Sequence, residues 1–281
     1  MSASPSHSRP RALVTGASSG IGRELAIRCA AGGHDLVLVA RHEEPLAELA
    51  AELEARHQSR VTVLPLDLAR PAAPHELHAE LERRGLAIDV LVNNAGFAIH
   101  GPLAGADLGT VTEVMQLNMV SLTLLTRLFL PGMLARGHGR ILNVASTAAF
   151  QPGPYMAVYY ASKAYVLSFS HAVAEELRGS PVTVTALCPG PTTTGFQARA
   201  GLKGVPLFTR SILLSGSPSE VAEAGYRAMM AGAREVVPGF RNRVHVFLTR
   251  CLPRPTLARI VSGVQSRIGE STEPRSGGDR D

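Results

Sequence analysis

The chain has 281 residues, 45% hydrophobic and 18% charged, which suits one large α/β domain or two small ones with a sizeable core. Its net charge of +5 is concentrated in the tail: from Phe240 onward eight Arg face four acids, which leaves the rest near neutral. Without aromatics interleaved among basic residues, that balance argues against a nucleic-acid partner. No stretch approaches the roughly 18 uninterrupted apolar residues of a membrane span. Ten scattered His and three scattered Cys show no metal-ligand spacing. Cys29, Cys188 and Cys251, odd in number, read as free buried thiols of a reducing, cytoplasmic compartment.

Residues 1–10 are Ser/Pro-rich and read as a disordered tail without a secretory signal. Arg11–Val14 then predicts a short strand and Ile21–Ala31 a helix. Asp35–Ala40 (DLVLVA) is an apolar run of the kind found in parallel strands covered on both faces. Glu43–His57 follows as an Ala/Leu/Glu helix. Val61–Leu66, Ile88–Val92, Arg140–Val144 and Val182–Leu187 predict further strands, each preceded by helical sequence. This βα alternation implies one domain over 11–240, a Rossmann-like, doubly wound, mainly parallel sheet. Cys188–Gly216 is a long Pro/Gly/Thr-rich and then apolar segment, a candidate lid. A helical extension over 241–268 follows, basic and amphipathic. Val244, Phe247, Leu248, Cys251 and Leu252 fall at helical spacing, and Leu257, Ile260, Val261 and Val264 repeat it after Pro253 and Pro255. Residues 269–281 read as a disordered tail.

Thr15-Gly16-Ala17-Ser18-Ser19-Gly20-Ile21-Gly22 occupies the first strand-to-helix junction. Glycines there let the backbone approach a pyrophosphate, whose charge is met by amides at the helix N-terminus. The second strand ends in Ala40-Arg41-His42, where an NAD site commonly carries an acid for the ribose hydroxyls. Arg41 can instead meet a 2′-phosphate, so the sequence favours NADP(H), with NAD(H) as the alternative. Further on, Tyr159 and Lys163 stand four apart on a predicted helix and therefore share a face. Lys163 is one of only two lysines, in a chain that otherwise uses Arg. Tyr160, at i+3 from Lys163, is also a helical neighbour.

Together these segments resemble the short-chain dehydrogenase/reductase (SDR) family, over about Arg11 to Val237. Thr15 to Gly22 matches its cofactor turn, with Asp67-Leu68 as its adenine-contacting acid and the residue after it. Asn94-Ala95-Gly96, within Asn93–Gly96, matches the motif after the fourth strand. Asn118, Ser146 and Tyr159-x-x-x-Lys163 match its catalytic set, and Pro189-Gly190 with Thr192 to Thr194 the stretch over the nicotinamide. The resemblance implies hydride transfer between nicotinamide and a carbonyl or alcohol carbon of a small molecule. It selects Tyr159 over Tyr160 as proton donor or base and leaves Tyr160 to packing. It gives Ser146 the substrate oxygen and Asn118 a water that relays protons through Lys163. Thr15 and Thr192 either contact the cofactor or cap turns. Asn94 can hydrogen-bond adjacent backbone, and Gly96 keeps the wall beside the cofactor open.

A free phenol has a pKa near ~10. An ammonium about 4 Å away contributes roughly 4 kcal/mol at an effective dielectric near 20, or about three pKa units. Lys163 alone is thus expected to bring Tyr159 towards neutrality. Phe97, Ile99, Phe150 and Met156, with the apolar lid residues Phe196 to Leu214, suggest an apolar carbonyl substrate such as a ketone, aldehyde, steroid-like ring or 3-oxoacyl thioester. The same residues could equally pack on one another or on a partner subunit. A catalytically idle dinucleotide-binding scaffold or redox sensor is the reading from another class. The resemblance also implies a homodimer or homotetramer, built on the helices carrying Asn118 and Tyr159, with Met119–Met133 and Val166–Val173 available for burial. Arg243, Arg250 and Arg254, placed opposite Val244, Phe247 and Cys251, suggest peripheral membrane contact. The alternative is packing of these helices on their own domain or a neighbouring subunit.

Overall fold

The computed structural model describes residues 9–192 and 216–270, with side chains in the last helix described as far as Ser266. Thr194 and the lid candidates Phe196 to Leu214 lie outside the described residues. Continuous apolar runs form the strands, as expected where helices cover both sheet faces. They are β1 (Arg11–Thr15), β2 (Asp35–Ala40), β3 (Val61–Pro65), β4 (Val90–Asn93), β5 (Gly139–Val144), β6 (Val182–Leu187) and the two-residue β7 (Glu235–Val236). All pair in parallel in the order β3-β2-β1-β4-β5-β6-β7. The predicted strands are present to within a residue or two; β7 was not anticipated.

Side chains alternate across the sheet. Ala12, Val14, Leu36 and Leu38 face one core, closed by α1 (Gly20–Ala31), α2 (Glu43–His57) and α7 (Pro218–Met230). Leu13, Val37 and Val39 face the other, closed by α3 (Ala73–Arg83), α5 (Leu122–Arg136) and α6 (Ala157–Glu176). The continuous helical run Leu108–Arg136 comprises α4 (Leu108–Met115), a π-helical segment Gln116–Ser121 and α5. By length and mean hydropathy it could cross a membrane, although Glu113 and Arg127 interrupt it. Here it packs as a core helix, burying Leu125, Phe129 and Met133.

Two helices, α8 (Phe240–Cys251) and α9 (Arg254–Glu270), complete the described chain. They form where expected, but α8 turns a different face inward. Val246 and Thr249 are buried, whereas Val244, Phe247, Leu248, Cys251 and Leu252 are exposed. Asn242, Val246 and Thr249 lie within about a third of a turn of one another, opposite the strongest apolar stripe. Arg243 and Arg250 consequently flank that stripe, and Arg250 folds over the Phe150 ring at 5.5 Å. In α9 the predicted stripe splits, with Leu257 and Val261 buried and Ile260 and Val264 exposed. The tail expected to begin at residue 269 gives way to helix as far as Glu270. Arg9, assigned to the N-terminal tail, is anchored by bonds to the carbonyls of His57 and Gln58, both 3.0 Å. Cys29 and Cys188 are buried free thiols, but Cys251 is exposed, contrary to the sequence expectation.

Candidate active site

Between β1 and β4 the strand order reverses direction, and there the carboxyl ends of the strands splay to leave a crevice. A cleft of about 450 Å³ occupies it. At one end lies the glycine-rich turn, from which Gly16, Ser18, Ser19, Gly20, Ile21 and Gly22 line the wall. Gly16 has φ +66°, open to glycine at little cost. A Cβ on Gly22 would lie 2.2 Å from the Gly16 carbonyl oxygen, so the turn closes this tightly only without side chains. No side chain caps the first turn of α1, and no acid stands in it. Its amides therefore face the cleft, as an anion-binding helix start requires.

Thr15 does not line the cleft. Its buried hydroxyl donates to the Val92 carbonyl at 3.2 Å and accepts from the amides of Asn94 and Ala95, both 3.0 Å. Thr15 therefore staples β1 to the turn after β4. Asn94 lines the cleft and donates through Nδ2 to the carbonyls of Thr15 and Gly16, at 3.0 and 3.2 Å. Ala95 and Gly96 continue that wall. Arg41 lines the end beyond β2; it is exposed and makes no ion pair among the described residues. Asp67 and Leu68 border the same end, with Asp67 Oδ1 accepting from the Ala69 amide at 2.9 Å.

The other end holds the chemistry-bearing side chains. Tyr159 and Lys163 are presented one turn apart by α6, and both line the cleft with Ser146 at the end of β5. Lys163 Nζ donates to the Val144 carbonyl at 2.7 Å and stands 5.8 Å from the centroid of the Tyr159 ring. Burial strips hydration from the ammonium and lowers its pKa from 10.5 to about 8. Burial also pushes the Tyr159 phenol well above its ordinary value; a hydrogen bond with Ser146 opposes this and Tyr160 adds to it. The expectation that Lys163 alone brings the phenol towards neutrality is therefore not met. Desolvation of the phenolate outweighs the hydrogen bond with Ser146, and Tyr159 holds its proton at neutral pH.

Ser146 Oγ accepts from the Ala148 amide at 3.1 Å and donates weakly to the Pro189 carbonyl at 3.4 Å. Asn118 sits in the π-helical segment, a device that re-aims side chains at functional sites. Its Nδ2 donates to the Phe97 carbonyl and to Ser162 Oγ, both 3.0 Å, and its Oδ1 accepts from the Phe97 amide at 3.1 Å. It thus ties the loop after Gly96 to α6, immediately behind Lys163. A Cβ at Gly96 would come within 2.9 Å of Asn118 Oδ1 and 3.6 Å of Lys163 Nζ. Pro189, Gly190 and Thr192 form the opposite edge, and Thr192 Oγ1 donates to the Gly190 carbonyl at 3.0 Å.

Sequence reasoning missed part of the lining. Gln151, Arg241, Asn242 and His245 all face the cleft, the last three from α8. No motif marks them, and the apolar pattern of α8 directs attention to its opposite side. Tyr160, assigned to packing, does pack: a Cβ on Gly153 would meet its ring at 2.2 Å. It also lines the cleft, and Gln265 of α9 donates to its hydroxyl at 3.4 Å. Phe97 and Met156 line the wall as expected, whereas Ile99 and Phe150 are not among the described lining residues.

The cleft fits a nicotinamide dinucleotide: a side-chain-free phosphate cradle at one end, a phenol, ammonium and hydroxyl at the other. Fold and site together define a dinucleotide-dependent oxidoreductase. The short chain dehydrogenase family profile matches residues 10–203, and the chain belongs to the short-chain dehydrogenase/reductase family. It is 32% identical over 241 residues to the ketoacyl reductase HetN of Nostoc sp., covering 85% of this chain and 82% of that protein. It is 34% identical over 190 residues to a very-long-chain 3-oxoacyl-CoA reductase of Phaeosphaeria nodorum, covering 66% of this chain but only 56% of that protein. Among solved structures, a short-chain dehydrogenase from Sphingobium yanoikuyae in complex with NADPH superposes with a TM-score of 0.75. It is 31% identical, over 97% of this chain and all of that one. The chain is accordingly an NAD(P)(H)-dependent oxidoreductase acting between CH–OH and carbonyl groups.

Because the Lys163 pKa is lowered, its ammonium is lost as pH rises through about 8 and not near 10.5. The kcat/KM for NADPH in the reductive direction, which reports on the free enzyme, is expected to fall above about pH 8 and to be flat below it. Tyr159→Phe is expected to lower turnover by about 10²–10⁴-fold. Tyr160→Phe retains most of it, and steady-state rates of both variants, with NADPH affinity measured in parallel, check the assignment.

Proposed function

We propose that this enzyme is an NADP(H)-dependent reductase of largely apolar carbonyl compounds, with Asn118, Ser146, Tyr159 and Lys163 as its working set. The observation that carries the reading is the convergence of Tyr159, Lys163 and Ser146 at one end of the cleft whose other end is the glycine-rich turn. Bound in the cleft, the dinucleotide supplies a hydride to the carbonyl carbon. Negative charge then develops on the carbonyl oxygen, which needs a proton at that moment. Tyr159 holds a proton at neutral pH and is placed to give it. Ser146 donates a hydrogen bond to the same oxygen and fixes its position. Lys163, charged below about pH 8, restores the phenol's proton. Asn118 locks the loop and helix that frame this exchange, and a water beside it would link Lys163 to solvent.

Apolar wall residues Phe97, Leu117, Met156 and Pro189 support a substrate with a hydrocarbon body. The relatives named as ketoacyl and 3-oxoacyl-CoA reductases favour a 3-oxoacyl thioester as the second, narrower reading. NADP(H) preference is supported by Arg41 at the cleft end beyond β2, where Arg41 and His42 stand directly after the strand in place of a carboxylate. A homodimer or homotetramer built on α4–α5 and α6 is supported by Met115, Val120 and Tyr165, apolar or aromatic side chains left exposed there. We place the enzyme in the cytoplasm.

Oxidation of NADPH against a panel of short and long ketones, aldehydes and 3-oxoacyl thioesters, followed at the nicotinamide absorbance, tests the substrate reading. Cofactor binding with no turnover on any of them would overturn it. Arg41→Ala is expected to weaken NADPH binding by about 10–100-fold, in line with loss of a hydrogen bond to a charged group, while NADH binding changes little. A wild-type Kd weaker for NADPH than for NADH would contradict the preference.

A further inference from the structure

The exposed face of α8 and α9 is the surface the reductase chemistry does not use. Of fourteen large hydrophobic side chains left exposed among the described residues, seven lie between Phe240 and Val264. Phe240, Val244, Phe247 and Leu248 run along the side of α8 opposite its buried residues, with Phe240 75% and Phe247 65% exposed. Ile260 and Val264 are likewise exposed on α9. Along α8 these side chains form one exposed apolar stripe, and a stripe of this kind marks an interaction site.

Charge decides the occupant. From Phe240 to Gly269 the sequence holds six Arg and no acid. Arg243 flanks the apolar stripe of α8 on one side and Arg241 on the other. A second copy docked through this face by a two-fold axis would bring the arginines of both patches together, with no carboxylate between them. An anionic lipid surface satisfies both features at once, taking the apolar side chains into the headgroup and acyl boundary and pairing the arginines with phosphate.

We propose that α8 and α9 form an interfacial membrane-binding surface selective for anionic lipid, which sets the mouth of the catalytic cleft at the bilayer. The helix that would insert Phe247 and Leu248 also lends Arg241, Asn242 and His245 to the cleft lining. Gln265 on α9 bonds Tyr160 in the cleft wall at 3.4 Å and Met156 Sδ at 3.6 Å. Membrane and cleft thus share two helices, and an apolar carbonyl compound dissolved in the bilayer reaches the site without crossing water. This second half rests on the proposed reductase reading; the binding surface itself does not.

The full chain is mixed with vesicles of phosphatidylcholine alone and of phosphatidylcholine with 30 mol% phosphatidylserine, at low and high salt, and floated. Flotation is expected with the anionic vesicles only and weakens at high salt. Phe247→Glu/Leu248→Glu, at two exposed positions that do not line the cleft, is expected to abolish flotation while NADPH binding and its oxidation by a short water-soluble ketone are unchanged. Turnover of a long-chain ketone carried in the anionic vesicles falls at least fivefold in this variant. No flotation of the wild-type chain, or a fall in its solution mass from dimer to monomer on this substitution, would overturn the membrane surface. Normal flotation with no turnover of any ketone would sink the reductase reading alone.

Discussion

A single buried ammonium organises this enzyme. Lys163 is 6% exposed, held by the Val144 carbonyl at the end of β5 and backed by the loop that Asn118 ties down. Taking an ammonium out of water is costly, and the fold accepts the cost where the sheet's carboxyl ends, the π-helical segment and α6 meet. Burial makes the amine a weaker base and the phenol a weaker acid than either is in water. The pair is therefore set at neutral pH as neutral phenol beside ammonium, the state that the proposed carbonyl reduction would draw on.

The remaining architecture serves that end of the cleft. Parallel strands require crossovers, and the reversal at β1 and β4 opens the crevice in which the glycine-rich turn and the Tyr159–Lys163 face confront each other. Thr15 and Asn94 spend their polar atoms holding the two switch-point strands in register, so they shape the cradle from behind or beside it. Tyr155, at φ +64°, starts the approach to α6 in a backbone region that a non-glycine residue rarely adopts. Its carbonyl accepts from the Gly101 amide at 2.8 Å, which joins the α6 entrance to the loop after β4.

Much of this was legible in the chain because the physics is local. A strand buried on both faces must be an apolar run, as DLVLVA is, and a phosphate cradle must lack side chains, as Gly16 and Gly22 do. Other features depend on tertiary context. The two residues of β7 carry no pattern, and nothing in Gln116–Ser121 announces a π-helical turn. Thr15 looks the same whether its hydroxyl faces a cofactor or a strand. In α8 the periodicity of Val244, Phe247 and Leu248 identifies a helix, but the face that turns inward is the one on which Asn242 sits against Gly190. Periodicity reports that a face exists and not what covers it. The same limit applied to Cys251, which is exposed with that stripe.

The most direct test of the central claim is single-turnover hydride transfer by Lys163→Met saturated with NADPH, followed across pH with a ketone that the wild-type chain reduces. The account predicts a loss of at least about 100-fold, the scale of a general acid-base contribution, and disappearance of any transition near pH 8. A variant that transfers hydride at the wild-type rate, with the same pH dependence, would contradict it.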